Sequence, residues 1–379
     1  MALASAGLAV LPDFGWLAAA QKTGRTLIPF EDIPQNFSTT RPGTFTLPGQ
    51  ATTGIDLREL TSWTTAPNDL FVVTHYNVPE IDAAAWRLQV EGQAGRPLTF
   101  TLDTLKTRPR EERTVTFECG GNREAILHRM VGNATWAGCS LRALIEEARP
   151  SRDVLEAIFW ATDMGKETLR GTPYPMKFAR SMSLDDAMNA DAILAYEVNG
   201  IPLPVIHGFP VRLVVPGWYG VANVKWLERI ELSPRRFMGR FMGRDYVTIM
   251  GRQVGDHIEY TETSVTRMLV KSVIGRVTRP ADGAGGRFSV FGVAWADGTP
   301  IQTVEVQVDD GQWQPVRLDA QPNSFTWTFW TLEIDPLEPG THTIASRATD
   351  RAGRTQPADL SLKKSSWENH AIRARTIRV

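Results

Sequence analysis

The sequence contains little cysteine, almost no net charge and few recognisable metal or nucleotide motifs. Only Cys119 and Cys139 occur among the 379 residues, so disulfide bonds are not the source of stability. The formal charge of −1 argues against nucleic acid as the main partner. The absence of C-x-x-C and H-E-x-x-H argues against zinc, and there is no P-loop and no G-x-G-x-x-G.

The chain also contains no apolar run long enough to span a bilayer. Its first twelve residues are apolar and small but end at Pro12, and Ala18-Ala19-Ala20 then offers an A-x-A-like cleavage site. This pattern is typical of the back half of an export signal whose charged front is missing. The alternative is a short apolar helix that packs on the body of the protein.

The length predicts two domains, since single cores rarely grow past about 250–300 residues. Residues 1–50 read as an export-signal remnant followed by an irregular arm rich in Pro, Thr and Gly. Residues 51–254 mix short helices and strands without regular βαβ units, which indicates an α+β domain. In residues 255–379 short alternating runs are separated by turns, which predicts a β-sandwich.

Within the first domain, helices are expected at three places: Leu102–Thr107, Leu141–Ala148 with a cap at Ser140, and residues 183–188 with a cap at Ser183. Strands are expected at residues 86–92, 114–117, 157–162 and 193–198, the last followed by an Asn199-Gly200 turn. In the second domain, strands are expected at residues 288–295, 304–308, 325–330 and 343–348.

The most informative stretch is T-F-E-C-G-G-N-R at residues 116–123, where the thiol of Cys119 follows a strand-like run and precedes a glycine turn. Gly120 and Gly121 allow positive φ and a close approach of the backbone to a ligand. Successive N–H groups in such a turn can bind an anion. A thiolate there is a nucleophile or a soft-metal ligand. On these residues alone, an inert buried cysteine is an equal alternative.

A second stretch, H-G-F-P-V-R-L-V-V-P-G at residues 207–217, continues into N-V-K-W-L at residues 223–227. It places His207, Arg212 and Lys225 along two strand-like segments broken by Pro-Gly. A guanidinium fork, an ammonium and an imidazole N–H together suit a phosphate. The two stretches resemble the sulfite oxidase family of molybdenum enzymes, and the resemblance covers roughly residues 50–379.

The resemblance implies a molybdopterin cofactor and assigns its binding residues. In that family the cysteine of a C-x-G-N-R motif ligates molybdenum, which identifies Cys119 as the metal ligand and predicts no bridge to Cys139. The family's H-G-F-P-V-R and V-K-W-L motifs hold the molybdopterin phosphate, a role that passes to the three cationic residues named above. Asn122 and Arg123 are expected to brace the loop and to contact the pterin.

Three further positions resemble active-site residues of the family. Trp136 resembles the tryptophan of an R-W-x-G motif, although Thr135 precedes it here, and an ordinary core aromatic is the alternative. Asp245-Tyr246 resembles a pair whose tyrosine hydroxyl lies near the metal oxo group, where it can hydrogen-bond a substrate or relay a proton. Arg373 resembles an arginine that enters the substrate pocket from the second domain.

One motif departs from the family pattern. The family's F-F-V-R-N-H is replaced by L-F-V-V-T-H at residues 70–75, so His75 is kept but Val73 stands where the family has an arginine. Without that cation the pocket should bind sulfite less well or bind another substrate.

Between Lys225 and Asp245, an F-M-G-R repeat within residues 235–244, with Arg252 beyond it, predicts a basic loop. The loop either concentrates anions around the site or is a solvated face.

The sequence therefore predicts a sulfite-oxidase-type molybdopterin domain followed by an immunoglobulin-like β-sandwich that forms a homodimer. The expected reaction is oxidation of sulfite to sulfate. Because no C-x-x-C-H haem motif is present, the electrons should pass to an external acceptor such as a c-type cytochrome. Family members are often exported folded, which favours the periplasm. The alternatives are a sulfane dehydrogenase, an S- or N-oxide reductase, and a metal-free binding protein that uses the sandwich.

Overall fold

The structure, a computed structural model, describes residues 24–33, 54–123, 127–281 and 286–379. The export-signal remnant lies outside the described residues. In chain order the strands are β1 (Arg25–Ile28), β2 (Leu88–Gly92), β3 (Leu98–Phe100), β4 (Glu111–Glu118), β5 (Val131–Ser140), β6 (Glu156–Leu169), β7 (Thr172–Ser183), β8 (Ile193–Val198), β9 (Ile201–Pro202), β10 (Arg212–Val214), β11 (Leu227–Ser233), β12 (Val247–Val254), β13 (His257–Ser264), β14 (Lys271–Pro280), β15 (Phe288–Trp295), β16 (Ile301–Val308), β17 (Gln314–Pro315), β18 (Arg317–Leu318), β19 (Thr328–Ile334), β20 (Thr341–Asp350) and β21 (Arg375–Arg378). The α-helices are α1 (Leu102–Lys106), α2 (Leu141–Ala148), α3 (Leu184–Asn189) and α4 (Arg240–Gly243).

The helices begin where the sequence supplies a cap. The Ser140 hydroxyl accepts from the Ala143 N–H at 3.3 Å at the start of α2. The Ser183 hydroxyl accepts from the Asp186 N–H at 3.0 Å at the start of α3. Each bond satisfies one N–H that the first turn of a helix leaves without a partner. Both predicted caps are therefore confirmed.

The first domain is built around two sheets and one large apolar core. One sheet has the order β3-β2-β11-β6-β7, and the other has the order β10-β8-β5-β4 with β9 paired to β8. β11 runs parallel to β2, whereas the other strand pairs in these two sheets are antiparallel. The predicted Asn199-Gly200 turn is present, with φ of 47° and 79° at the two residues. This arrangement agrees with the predicted α+β class without βαβ repeats.

The second domain consists of two sheets that share a core. Their orders are β1-β14-β15-β19-β18 and β17-β16-β20-β21. Apolar side chains from both sheets form one buried cluster, among them Val277, Val290, Val304 and Ile344. Facing sheets of this kind are a β-sandwich.

Two expectations need correction. The arm at residues 1–50 is not irregular throughout, because β1 pairs with β14 and so joins the second domain. The run at 325–330 becomes a strand only from Thr328, since the Thr116 N–H donates to the Phe325 carbonyl and the Trp327 N–H donates to the Thr116 hydroxyl. Local patterns did not contain these partners, which lie far away along the chain.

A two-stranded hairpin, β12–β13, connects the domains. The predicted boundary after residue 254 falls at the turn of this hairpin rather than in a linker. The segment at residues 362–364 lies beside β12, where the Gly251 N–H donates to the Leu362 carbonyl at 2.7 Å. Within the described residues, no helix is long and apolar enough to cross a membrane.

Candidate functional site

The Cys119 loop follows directly from the end of β4. The Cys119 N–H donates to the Met130 carbonyl at 3.0 Å, and the Asn122 N–H donates to the Cys119 carbonyl at 2.9 Å. These bonds hold the residue in a tight turn with its side chain 8% exposed. Neither Gly120 nor Gly121 has a positive φ, contrary to one expected use of glycine here.

Close packing explains the two glycines instead. A Cβ on Gly120 would lie 3.2 Å from a methyl of Val265, and a Cβ on Gly121 would lie 3.2 Å from the ring of Trp367. The turn therefore fits under residues of the segment beyond the first domain. No disulfide joins Cys119 to Cys139, which is also buried.

Cys119 lines a pocket that also collects six of the other predicted site residues: His75, Trp136, His207, Arg212, Lys225 and Tyr246. The sequence separates these residues by up to 171 positions, as in the pair His75 and Tyr246. The lining residues form two groups that differ in chemistry. The sulfur end is the name used for Cys119, His75 and Tyr246, and the cationic end is the name used for His207, Arg212 and Lys225.

The cationic end is formed by His207, Arg212 and Lys225. His207 lies in a 3₁₀ turn rather than in the strand-like segment expected for it, and its Nε2 lies 2.8 Å from the Pro67 carbonyl oxygen. Arg212 donates to the carbonyls of His207 and Asn223 at 3.0 and 2.9 Å. The Lys225 ammonium donates to the Ile206 carbonyl at 3.1 Å.

Burial makes each of these three groups costly to charge, and it leaves His207 neutral near pH 7. Burial lowers the pKa of Arg212 to about 9. Burial and the nearby Arg212 charge lower the pKa of Lys225 to about 7, and burial lowers that of His207 to about 4. Arg212 Nε is buried and has no hydrogen-bond partner in the structure. A bound anion would supply that partner and compensate the charges, which fits a phosphate group.

Aromatic side chains line the wall between the two ends. The Arg212 guanidinium lies 4.7 Å from the ring of Trp136, which stacks on Phe117 at 5.0 Å. The Lys225 ammonium lies 4.2 Å from the ring of Trp226. The Nε1 proton of Trp136 is buried without a partner, so this residue offers a donor as well as a wall.

At the sulfur end, the Tyr246 hydroxyl lies 2.8 Å from His75 Nε2. The His75 ring stacks on Phe178 at 4.8 Å and contacts Phe241 at 4.6 Å. Burial lowers the pKa of His75 to about 3. Burial and the neighbouring Cys119 raise the pKa of Tyr246 well above its usual value. Both rings are therefore neutral near pH 7.

Sequence reasoning missed two buried charged residues. Asp163 lines the pocket near Lys225, its Oδ1 has no partner, and burial raises its pKa to about 7. Arg180 is 1% exposed and donates to the carbonyls of Phe241 and Val265 beside Tyr246. Neither belongs to a local motif, and both lie on the long β6–β7 hairpin. Only the register of that hairpin, which the sequence does not reveal, brings them to the pocket.

Four predicted residues do not line the pocket. Asn122 is buried behind the loop, where its amide nitrogen donates to Glu118 and to the His128 carbonyl. Asp245 pairs with Arg240 at 2.5 Å. Arg123 and Arg373 have exposed side chains outside the pocket wall. Spacing from a motif predicted these positions but not the direction in which each side chain points.

The departure at Val73 is visible in the pocket itself. Val73 lines the wall near His75, and the lining includes no arginine or lysine besides Arg212 and Lys225 among the described residues. Three arginines of the basic loop pair with carboxylates instead, namely Arg236, Arg240 and Arg252. The wall at Val73 therefore lacks the family's arginine, although the Arg180 guanidinium is buried beside Tyr246 outside the lining.

Comparison with known proteins identifies the family. Residues 75–241 match the model of the oxidoreductase molybdopterin binding domain, and residues 262–371 match the Mo-co oxidoreductase dimerisation domain. Chicken sulfite oxidase is 33% identical over 320 residues, which cover 78% of this chain and 68% of the chicken protein. The chain belongs to the sulfite oxidase family of molybdopterin oxidoreductases.

Other relatives agree. Human mitochondrial sulfite oxidase is 32% identical over 77% of this chain and 57% of its own length, so this chain spans little more than half of that relative. An NADH nitrate reductase from Lotus japonicus is 30% identical over 76% of this chain and 36% of its own length. The crystal structure of the sulfane dehydrogenase SoxCD from Paracoccus pantotrophus matches with a TM-score of 0.72 at 22% identity, and covers all of this chain and 95% of the SoxCD chain. At this level of identity, the SoxCD match supports a shared fold alone.

Membership of the family confirms three predictions. The protein is an oxidoreductase rather than a metal-free binding protein, it depends on molybdenum, and its cofactor is molybdopterin. The pocket fits that cofactor, because its lining includes a buried thiol and three nitrogen-bearing side chains of the kind that suit a phosphate. Cys119 would ligate the metal, while His207, Arg212 and Lys225 would hold the phosphate.

Proposed function

We propose that this protein oxidises sulfite to sulfate and passes two electrons to an external acceptor. One observation carries the proposal: a single pocket is lined by Cys119, by the Tyr246–His75 pair and by the His207, Arg212 and Lys225 group. The sulfite oxidases among the relatives support the choice of substrate. When bound, the molybdenum cofactor supplies oxygen-atom transfer to sulfur.

The protein's own residues orient that chemistry and keep water away from it. With the cofactor bound, Cys119 would ligate the metal as a thiolate, because a metal deprotonates a coordinating thiol. The neutral phenol of Tyr246 offers a hydrogen bond to a substrate oxygen. Phe178 and Phe241 close the wall behind His75. The acceptor is proposed to be a c-type cytochrome, since the sequence has no C-x-x-C-H motif of its own.

Steady-state turnover tests the proposal. Protein matured with the molybdenum-cofactor pathway should reduce both ferricyanide and cytochrome c when sulfite is added, with one sulfate formed for every two electrons. Reduction of ferricyanide without reduction of cytochrome c would retain the reaction but overturn the proposed acceptor. No sulfate from a molybdenum-loaded sample would overturn the proposed substrate.

Val73 favours a second candidate, the dehydrogenation of sulfane sulfur. A sulfite dianion needs cations around it, but the sulfur end of the pocket is aromatic and its histidine is neutral. A sulfane sulfur carried on a larger molecule would need less charge there. Thiosulfate and a persulfide offered to the same loaded sample would decide, because turnover of either in preference to sulfite would support this candidate.

We also propose that the β-sandwich is immunoglobulin-like, that it forms a twofold homodimer through residues 255–379, and that the protein acts in the periplasm. The match to a dimerisation domain supports the assembly. The small, apolar start of the sequence supports export. Sedimentation of the protein at micromolar concentration should give twice the chain mass of 42.1 kDa, whereas a strictly monomeric mass would contradict the dimer. Fractionation of the source cells would test the location.

A further inference from the structure

The loop that presents Cys119 is held from outside its own domain. The carboxylate of Glu118, the residue before Cys119, is 0% exposed and forms an ion pair with the Lys271 ammonium, which is 1% exposed. Lys271 begins β14 in the second domain. Trp295, at the end of β15, donates its Nε1 proton to the other carboxylate oxygen at 2.9 Å. Two strands of the sandwich therefore converge on one side chain of the catalytic domain.

The same carboxylate reaches into the loop. It accepts from the side-chain Nδ2 of Asn122 at 3.1 Å, and the side-chain Oδ1 of Asn122 accepts from the Met130 backbone N–H at 3.1 Å. The Met130 backbone carbonyl in turn accepts from the Cys119 N–H, and the Cys119 backbone carbonyl accepts from the Asn122 N–H. One hydrogen-bonded chain thus connects Lys271 to both sides of the Cys119 peptide.

The C-terminal segment holds the loop from another direction. The Glu368 N–H donates to the Gly120 carbonyl at 2.7 Å. The Trp367 ring lies against Gly121 and stacks on Tyr246, with centroids 4.3 Å apart. Both residues belong to the part of the chain that matches the dimerisation domain. The second domain therefore contacts the loop at three residues, Glu118, Gly120 and Gly121, which flank Cys119 on both sides.

Stability alone does not account for a buried ion pair at this place. Two charges lose their hydration on burial, and apolar side chains of similar size often stabilise a fold as well. A charge pair with several hydrogen bonds instead fixes the distance and direction of the groups attached to it. Here the attached group is the peptide that carries the predicted metal ligand.

We propose that Glu118 and Lys271 are positioning residues through which the second domain holds the Cys119 sulfur in the pocket. The pocket then has its working geometry only when the two domains of the chain are docked. The inference rests on the proposed function only in taking Cys119 as the ligand, since the contacts themselves do not involve substrate or cofactor.

Thiol labelling of the cofactor-free, full-length protein tests this directly. Iodoacetamide modification is followed by peptide mass mapping, with Cys139, 1% exposed in the core, as the internal reference. The variants are Glu118→Gln, Lys271→Met and the double variant Glu118→Gln/Lys271→Gln. Asp350→Asn is the matched control, because Asp350 is a fully buried carboxylate of the second domain whose partners are Arg354 and Ala352.

Each single variant should label Cys119 at least about tenfold faster, because a lost charge-assisted hydrogen bond shifts an opening equilibrium by that factor. Cys139 should keep its wild-type rate. The double variant should return toward wild type, since two amides can bond to each other and no lone charge is left buried. Asp350→Asn should lower the melting temperature without changing the rate at Cys119.

Unchanged labelling of Cys119 in both single variants would overturn the proposal. So would an equal increase in Asp350→Asn, because that would indicate general loosening of the second domain. If a single variant does not fold, Trp295→Phe provides the same test, since it removes one bond to Glu118 and should give a smaller increase. The readout needs no turnover, so the result does not depend on whether sulfite is the substrate.

Discussion

The hydroxyl oxygen of Tyr246 lies 2.8 Å from Nε2 of His75, in the wall of the pocket that contains Cys119. Burial keeps both rings neutral near pH 7, by lowering the pKa of His75 to about 3 and by raising that of Tyr246. The sulfur end of the pocket therefore offers hydrogen bonds without charge. This makes Tyr246 the residue whose removal should affect chemistry more than binding of the cofactor.

Tyr246→Phe should lower kcat by about ten- to hundredfold while the molybdenum content stays at the wild-type level. The substitution removes one hydrogen bond but keeps the ring that stacks on Trp367. Turnover with ferricyanide and metal analysis of the same sample measure both quantities. Because His75 stays neutral, kcat should also show no break near pH 6.5 in the wild type. An unchanged kcat in the variant would exclude a role for the hydroxyl.

Arg212→Met should lower cofactor occupancy by roughly tenfold or more, because a buried phosphate would lose a charge-assisted partner worth about 1.5–3 kcal/mol. Arg110→Met is the control, since Arg110 is 44% exposed and pairs with Glu197 away from the pocket. Molybdenum per chain after identical purification is the measurement. Equal occupancy in the two variants would place the phosphate site elsewhere.

Lys225 should make the stability of the cofactor-free protein depend on pH. Its pKa is lowered to about 7 by burial and by Arg212, whereas an unfolded lysine titrates near 10.4. Between about pH 7 and 10 the unfolded chain therefore binds more protons, and the free energy of unfolding should rise with pH. Lys225→Met should reduce that rise and should stabilise the cofactor-free protein at pH 7 by on the order of 1 kcal/mol. Denaturant titrations at several pH values measure this dependence. Parallel curves of unfolding free energy against pH for wild type and variant would contradict the prediction.

Val73→Arg should lower the Michaelis constant for sulfite by up to about tenfold, the effect of about 1.4 kcal/mol. A guanidinium at this position would place a permanent charge beside the neutral sulfur end. Val73→Met adds length without charge and should leave the constant unchanged. The wild type could instead show a low Michaelis constant for sulfite that Val73→Arg does not lower further. That result would show that other groups bind the anion.

Sequence motifs predicted the parts of the site that are encoded locally. The H-G-F-P-V-R and V-K-W-L segments contain His207, Arg212 and Lys225, and the structure brings all three to one end of one pocket. Cys119 was identified by the resemblance of its segment to the family's C-x-G-N-R motif, since the glycine turn alone left an inert cysteine as an equal alternative. A motif records these residues even where distant groups, such as Lys271 for the Cys119 loop, hold them in place.

Residues positioned by distant partners could not be predicted in the same way. Asp163 and Arg180 reach the site through the pairing of β6 with β7, which shifts register between Trp160 and Met164. Lys271 meets Glu118 across 153 residues and two domains. β1 was taken for irregular chain because its partner, β14, lies near the other end of the sequence. Such contacts depend on tertiary docking, which leaves no local periodicity.

Metal analysis coupled to turnover is the most direct test of Cys119 as the molybdenum ligand in this pocket. Wild-type protein matured with the cofactor pathway should contain about one molybdenum per chain and oxidise a sulfur substrate, because a thiolate is a ligand suited to this metal. Cys119→Ala, prepared in the same way, should show no turnover, while Cys139→Ala should retain it. Full turnover by Cys119→Ala would contradict the claim.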